Sequence, residues 1–590
     1  MLALVDLPPL ALLCPAAATL VCSGLGRPWP SRPDFWARWV VRGGLLLALA
    51  DVVALLWQLH PGGALQMTLW QLEPRVPITL SVDSSGAAIA LMVLVAALVV
   101  SFSARERRPL ASASLGLAVL GGMGAAFAGD LLSLYIGLQL SALGGIGLSY
   151  SRQPRAASGR MVLAAVADQL VALVWLAAVV AVLQGTSTLV LTSIPPSAVS
   201  PLLAGLLVLA ALVRLAGCLL IGGLGAGALP RSARSVDVAD WFTVVAVPTG
   251  LLVLLRIQEL SGGTWPTPWF GTCLDLAALV LGATAVGLLL WSGQRAVELR
   301  AVLLAASSLV LVGFGQNSAE GTLLGLSAGL FLELAAAFLP RAILGRPGGQ
   351  HGRGAAKAAT LGRGQLLIGV SASLLPFSLA FGVGVMGLSL SLGQGLQSGL
   401  APALAYLTAL AALVMAAPAL SRLLRADSRW SWPLGLPALC LAAAAIVPGA
   451  VVTLVAGTLA APGTVSHSPL SAPDPLVVQG PSLIWPGGYL VLLGVLAWVG
   501  LQAMRLALGP GTGVAGRVRA TPPAPVAPLP RGLAALAAWW SRLPRTGQEA
   551  RRWYLMLVNL ADREVGERPV WLWIATTAVA AWLLTELIRL

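Results

Sequence analysis

Residues 86–103 read GAAIALMVLVAALVVSFS, and Arg105, Arg107 and Arg108 follow almost at once. A run of about 18 to 25 apolar residues is what an α-helix needs to cross the hydrocarbon of a bilayer. Arginines just beyond such a run mark a cytoplasmic loop. In lipid every backbone amide must be paired internally, so only helices or closed barrels span. A barrel strand would alternate apolar and polar residues, which this stretch does not.

The same unit recurs along the chain. Apolar runs lie at about 2–25, 36–59, 86–103, 110–129, 131–149, 161–183, 201–223, 240–257, 271–291, 301–316, 321–344, 363–384, 397–424, 433–460, 485–507 and 570–588, sixteen in all. The count carries its own test, because positive charge belongs in every second loop. Arg27, Arg32 and Arg38 follow the first run, Arg105 to Arg108 the third, Arg152 and Arg155 the fifth, and Arg231 and Arg234 the seventh. The series continues with Arg295 and Arg300, then the basic loop from Arg341 to Arg363, then Arg422, Arg425 and Arg429, then the stretch from Arg505 to Arg568. Loops 184–200, 258–270, 317–320, 385–396 and 461–484 hold no Lys or Arg, and Arg75 is the one exception to the alternation. One missed or invented span would invert the pattern from there on. The expected fold class is therefore all-α, a polytopic membrane helix bundle of about sixteen spans with both termini on the non-cytoplasmic side.

Composition agrees. Of 590 residues 58% are hydrophobic and 10% charged, against about 25% charged in a soluble domain. The net charge of +14 sits in short loops beside apolar runs, so it is read as topological and not as a nucleic-acid surface. Cys14, Cys22, Cys218, Cys273 and Cys440 have no CxxC spacing, which indicates neither an iron–sulfur nor a zinc site. No cofactor is expected. The N-terminal run lacks a basic n-region and a small-residue cleavage site, and is read as a first span.

Residues 1–507 form the bundle in this reading, with about fifteen spans, and 570–590 the final anchor. Between them, residues 508–569 begin with Pro522, Pro523, Pro525, Pro528 and Pro530. They then turn amphipathic: Thr546 and Glu549 have capping-box spacing, and Trp553, Met556, Leu557 and Leu560 recur at helical period. Either a lateral helix along the cytoplasmic face or a linker followed by an interfacial anchor accounts for them.

Ionisable residues inside a bilayer are expensive, and each is a site candidate by default. Asp51 lies in the second run, Asp168 in the sixth, Arg214 in the middle of the seventh and Glu333 in the middle of the eleventh. Asp83, Asp130, Asp240 and Asp275 fall near run ends, where a carboxylate caps helix amides and meets the positive end of the dipole. Arg214 and Glu333 are expected to pair with each other, or with Asp168 or Asp51. Such a pair serves equally as a fixed staple or as part of a relay. His60, His351 and His467 all fall in loops or at run ends, which argues against haem ligation within the bundle. Gly222, Gly223, Gly225, Gly227 and Pro230 interrupt the end of the seventh run, and Pro376, Gly382 and Gly384 the twelfth. Two broken helices at that spacing point to the related halves of a transporter-like bundle, although Pro and Gly are also common in ordinary membrane helices.

The residues Asp130-Leu131-Leu132-Ser133-Leu134-Tyr135 leading to Gln139 resemble the antiporter-like membrane subunits of respiratory complex I and their Mrp relatives, where an N-L-L-x-L-[FY] run leads to a glutamate. Val82-Asp83-Ser84-Ser85 is similar to the family's V-D-x-L-S, and Val166-Ala167-Asp168 to its R-V-G-D turn with Ala165 in place of the arginine. The stretch from Glu298 to Ser307, ELRAVLLAAS, resembles D-[IL]-K-R-x-L-A-Y-S-[ST]. Sixteen spans, interrupted seventh and twelfth helices and a lateral segment before the last span resemble the NuoL/NdhF branch. The resemblance implies an ion path through Gln139, Arg214, Glu333 and Asp168, with Asp51 a further candidate from depth alone. It also implies departures. The family's fifth-span glutamate falls on Gln139, its seventh-span lysine on Arg214, its eighth-span histidine on Phe242, a later lysine near Glu333, and the acceptor after the twelfth helix near Val383 and Gly384. Arginine stays protonated and glutamine carries no proton, so groups that must change charge are mostly missing.

The expected function is that of a divergent membrane-arm subunit of a complex-I-like NAD(P)H- or ferredoxin:quinone oxidoreductase or related assembly, with a reduced or altered proton or cation path. Its expected partners are other membrane-arm subunits and the lipid bilayer, in a bacterial plasma or thylakoid membrane, and not nucleic acid. An ion or inorganic-carbon transporter on the same scaffold and a purely structural subunit are the alternatives.

Overall fold

The structure is a computed structural model; it describes residues 7–24, 33–58, 64–73, 76–103, 109–150, 159–186, 188–217, 240–263, 265–267, 269–291, 295–344 and 400–424, with three short strands at 471–474, 477–479 and 484–486. The helices are α1 (Leu7–Gly24), α2 (Pro33–Gln58), α3 (Ser84–Ser103), α4 (Pro109–Ala126), α5 (Leu131–Tyr150), α6 (Gly159–Thr186) and α7 (Pro201–Leu215). A π-helical turn, Phe242–Ala246, runs directly into α8 (Val247–Leu260), and α9 (Trp269–Trp291), α10 (Arg295–Gly315), α11 (Ala319–Leu344) and α12 (Leu400–Leu424) follow. Each falls on one of the expected runs, the first eleven and the thirteenth. Among the described residues five helical stretches are long and apolar enough to cross a membrane: Trp36–Leu56, Ser85–Phe102, Leu131–Leu148, Phe242–Leu260 and Trp269–Leu289. The twelfth, fourteenth and sixteenth runs, the fifteenth beyond Pro486, both sets of helix interruptions and the amphipathic segment at 508–569 lie outside the described residues.

Two small sheets depart from an all-helical reading. β1 (Leu65–Glu73) and β2 (Val76–Val82) form an antiparallel hairpin, with Leu65 opposite Val82 and Glu73 opposite Val76. Val76, Ile78, Leu80 and Val82 alternate with polar or small residues, the period of a strand. The run is also too short to span as a helix. Arg75, the exception in the loop charges, falls between these two strands. A second antiparallel sheet, β3 (Ser471–Asp474), β4 (Val477–Gln479) and β5 (Ile484–Pro486), pairs in chain order.

Asp130 ties the hairpin to the bundle. Its Oδ1 accepts from Ser133 N at 2.7 Å, and its Oδ2 from Ser133 Oγ at 2.6 Å, Thr79 N at 2.6 Å and Thr79 Oγ1 at 3.0 Å. The capping role expected of this aspartate is thus met and extended to the neighbouring strand. Backbone bonds continue the seam: Ser81 N donates to Phe127 O, Gly129 N to Thr79 O, Leu131 N to Leu189 O and Leu191 N to Gly129 O.

In lipid, apolar burial drives helix association weakly and close backbone approach does more. α4 and α5 show this. A Cβ at Gly137 would lie 2.7 Å from Ala125 Cα, one at Gly144 2.5 Å from Ala118 Cα, and one at Gly121 2.6 Å from the Leu140 carbonyl carbon. α8 is the central helix, buried along nearly its whole length.

Candidate functional site

Helical periodicity aims the key charges inward. On α7 Leu203, Leu207, Ala210 and Arg214 are buried, while Leu202, Leu206, Leu209 and Val213 are exposed, two stripes of one 3.6-residue period. Ser200 accepts from Leu203 N at 3.3 Å and Pro201 begins the helix, fixing that phase at its start. On α6 Asp168, Ala172, Trp175 and Val179 share the buried stripe and Leu173 faces out.

These stripes meet. Arg214 Nη2 lies 3.4 Å from Asp168 Oδ1, and both side chains are 0% exposed. Trp241 Nε1 donates to Asp168 Oδ2 at 2.8 Å. Arg214 Nη1 donates to Thr249 Oγ1, which in turn donates to the Val245 carbonyl of the π-helical turn. The Trp241 indole occupies a slot between helices: a Cβ at Gly145 would lie 2.8 Å from its Cδ1, and one at Gly217 3.0 Å from its Cζ3. Beside the pair a polar ladder joins α5 to α6, with Gln169 Nε2 donating to Gln139 Oε1 at 3.5 Å and Gln139 Nε2 to Tyr135 Oη at 3.3 Å.

Of the expected partners for Arg214, the structure selects Asp168. Asp51 sits half-buried on α2. Glu333 is buried on α11. Its level follows from two contacts: Thr322 Oγ1 donates to Gln258 Oε1 at 3.3 Å, and Gly329 packs on Leu251. Residues 322, 329 and 333 share one helix face, and the antiparallel register sets Glu333 level with Val247, just past the π-helical turn. α8 therefore meets Arg214 through Thr249 and Gly250 and meets α11 through Leu251.

Sequence reasoning missed a second charged cluster. Arg256 Nη1 lies 3.0 Å from Asp83 Oδ2 and 2.5 Å from Glu259 Oε2, and Nη2 donates to Ala126 O at 3.2 Å. Asp83 Oδ1 also accepts from Gly86 N at 2.6 Å, so it caps α3 and pins α8 to it. The i, i+3 spacing of Arg256 and Glu259 was the available signal. Trp241 and Thr249 gave none, because an apolar run hides which of its residues turn inward.

The central pair has a fixed cation. A guanidinium keeps its proton, so only Asp168 could change charge, and protonating it would leave Arg214 uncompensated in a fully buried site. Breaking a buried pair on one side costs about 3 to 5 kcal/mol. The arrangement suits a static electrostatic couple.

No protein-family model matches the chain, and no curated protein matches its sequence. Solved structures match throughout. A chain of the Mrp complex from Dietzia sp. DQ12-45-1b superposes with a TM-score of 0.58 at 16% identity over 96% of this chain and 63% of that one. A chain of the membrane-bound sulfane sulfur reductase, an archaeal respiratory membrane complex, gives 0.59 at 14% identity over 97% of this chain and 99% of that one. The protein shares the fold of these membrane-complex chains. A chain of respiratory complex I from Thermus thermophilus with bound NADH also shares that fold, with a TM-score of 0.54 at 17% identity over 78% of this chain and 99% of that one. The chain spans 63% of the length of the Mrp chain.

Proposed function

We propose that this protein is a membrane-arm subunit of a complex-I-like assembly, an NAD(P)H- or ferredoxin-dependent quinone oxidoreductase or a related complex, whose own proton or cation path is reduced or altered. The observation that carries the reading is likeness along most of the chain to subunits of respiratory and Mrp membrane complexes around a core whose buried cation is an arginine. A path that works by shifting charge needs groups able to gain and lose it, and Gln139 and Arg214 are not such groups. Glu333 and Asp168 are the carriers left in the middle of the bundle, with Asp51 apart from them on α2.

In this reading residues 1–507 form the bundle, 508–569 a lateral cytoplasmic segment and 570–590 an anchoring helix. The termini lie on the non-cytoplasmic side of a bacterial plasma or thylakoid membrane. Other membrane-arm subunits are the partners, and redox chemistry belongs to them.

A tagged copy extracted in mild detergent and resolved on a native gel tests this. Co-migration with subunits of a quinone oxidoreductase is the expected result. Migration alone, or with one soluble partner, overturns it and points to a transporter for an ion or inorganic carbon on the same scaffold.

A further inference from the structure

Asp275 was expected to cap a helix, and it does not. α9 begins at Trp269, so Asp275 lies six residues in, about 9 Å along the axis at 1.5 Å per residue. It is 5% exposed. Among the described residues no donor reaches its buried Oδ1 and its side chain makes no hydrogen bond or ion pair. The carboxylate faces the last turn of α10: a methyl group built on Gly315 would overlap Oδ1 and lie 3.1 Å from Cγ. The backbones cross closely beside it, since a Cβ at Gly271 would lie 2.5 Å from Gly315 O.

That position is adverse for a bare anion. The C-terminal end of a helix carries negative partial charge from unpaired carbonyls, and burial of an uncompensated carboxylate is costly. Among the described residues no charge nearby relieves it. α9 has no other charged residue; on α10 the charges are Arg295, Glu298 and Arg300, at the opposite end. On α12 the described charge is Arg422, also far along the helix, and Glu320 opens α11 with the same sign as Asp275.

We infer that Asp275, set against the C-terminal turn of α10, is a binding site for a small monovalent cation, a proton or Na⁺, near the membrane face that the arginine distribution assigns outside the cytoplasm. The inference holds whether or not the subunit translocates ions, because it concerns occupancy of one carboxylate.

The test is carbodiimide labelling of the full-length protein in detergent, with and without NaCl, read by peptide mass spectrometry. The reagent attacks protonated carboxyls. Label on Asp275 that NaCl leaves unchanged identifies the proton as occupant; label that NaCl suppresses identifies Na⁺. Failure of Asp275 to label in Na⁺-free buffer overturns the proposal. Asp275→Asn supplies an independent measurement. In Na⁺-free buffer, where the proton is the occupant, a neutralised carboxylate tolerates the neutral isostere, so the melting temperature there should be unchanged. A marked loss of stability would mean that Asp275 is a permanent anion with a fixed partner, and would also overturn it.

Discussion

Trp241 donates its indole N–H to Asp168 Oδ2 at 2.8 Å, which leaves the carboxylate's other oxygen turned toward Arg214 at 3.4 Å. A residue on the helical approach to α8, just before the π-helical turn, thereby orients an ion pair between α6 and α7. Trp241→Phe keeps most of the ring volume and removes the donor. The expected loss is about 1 to 3 kcal/mol, read as a lower melting temperature in detergent; no shift would mean that the slot and not the hydrogen bond holds Asp168.

The pair itself should behave as a unit. Arg214→Met alone is expected to cost about 3 to 5 kcal/mol, because Asp168 is left buried and uncompensated, whereas Arg214→Met with Asp168→Asn should recover most of it. Thermal unfolding of the three variants gives the coupling directly. Additive losses would mean the residues do not act on each other.

Restoring titratable groups is the complementary experiment. Gln139→Glu with Arg214→Lys places a carboxyl and an amine, both able to exchange protons, on the α5 and α7 positions flanking Asp168. Proton uptake into reconstituted vesicles is expected to rise above that of the wild type. An unchanged rate would place the block in the path elsewhere.

Glu333→Gln removes the charge from the centre of α11 with little change of shape. Any residual proton or cation movement by the wild-type assembly should fall with this substitution at normal expression. If transport persists undiminished, Glu333 drops out of the path.

Asp130→Ala removes four hydrogen bonds at once, to Thr79 and Ser133. A loss of about 2 kcal/mol or more is expected, since a cap is lost and buried donors go unmet. Hydrogen exchange should quicken at the Thr79 amide, and protection unchanged there would show that the backbone seam alone secures the hairpin.

How much of this was legible depended on which physical signal each feature leaves. Apolar runs and alternating arginines place helices one by one, because the bilayer imposes both length and loop charge, and α1 to α12 fall where those signals set them. The hairpin at Leu65–Val82 left a two-residue period in Val76 to Val82, easily passed over between two long apolar runs. Asp168 and Arg214 stood out by depth alone. Their partnership did not, since helical phase gives the inward face of each helix but not which helices adjoin. Arg256 was overlooked because, three residues from Glu259, it looks like an ordinary span end, and its third partner, Asp83, is distant in sequence. Asp275 was mistaken for a cap because the true start of α9, at Trp269, lies earlier than its apolar pattern implies.

The seam around Asp130 joins segments that leave the ribosome far apart in time. Residues near Thr79, Gly129 and Leu189 share one set of backbone bonds, so the outer rim of the first six helices closes only after α6 has been inserted and the chain has returned. Until then the Leu131 amide at the start of α5 lacks its acceptor, although the hairpin is already bonded to residues 127 and 129. A nascent chain halted before residue 189 should therefore be open to protease around residues 129–131, and one released just beyond residue 191 should resist it: the rim is a latch that records completion of the first six helices.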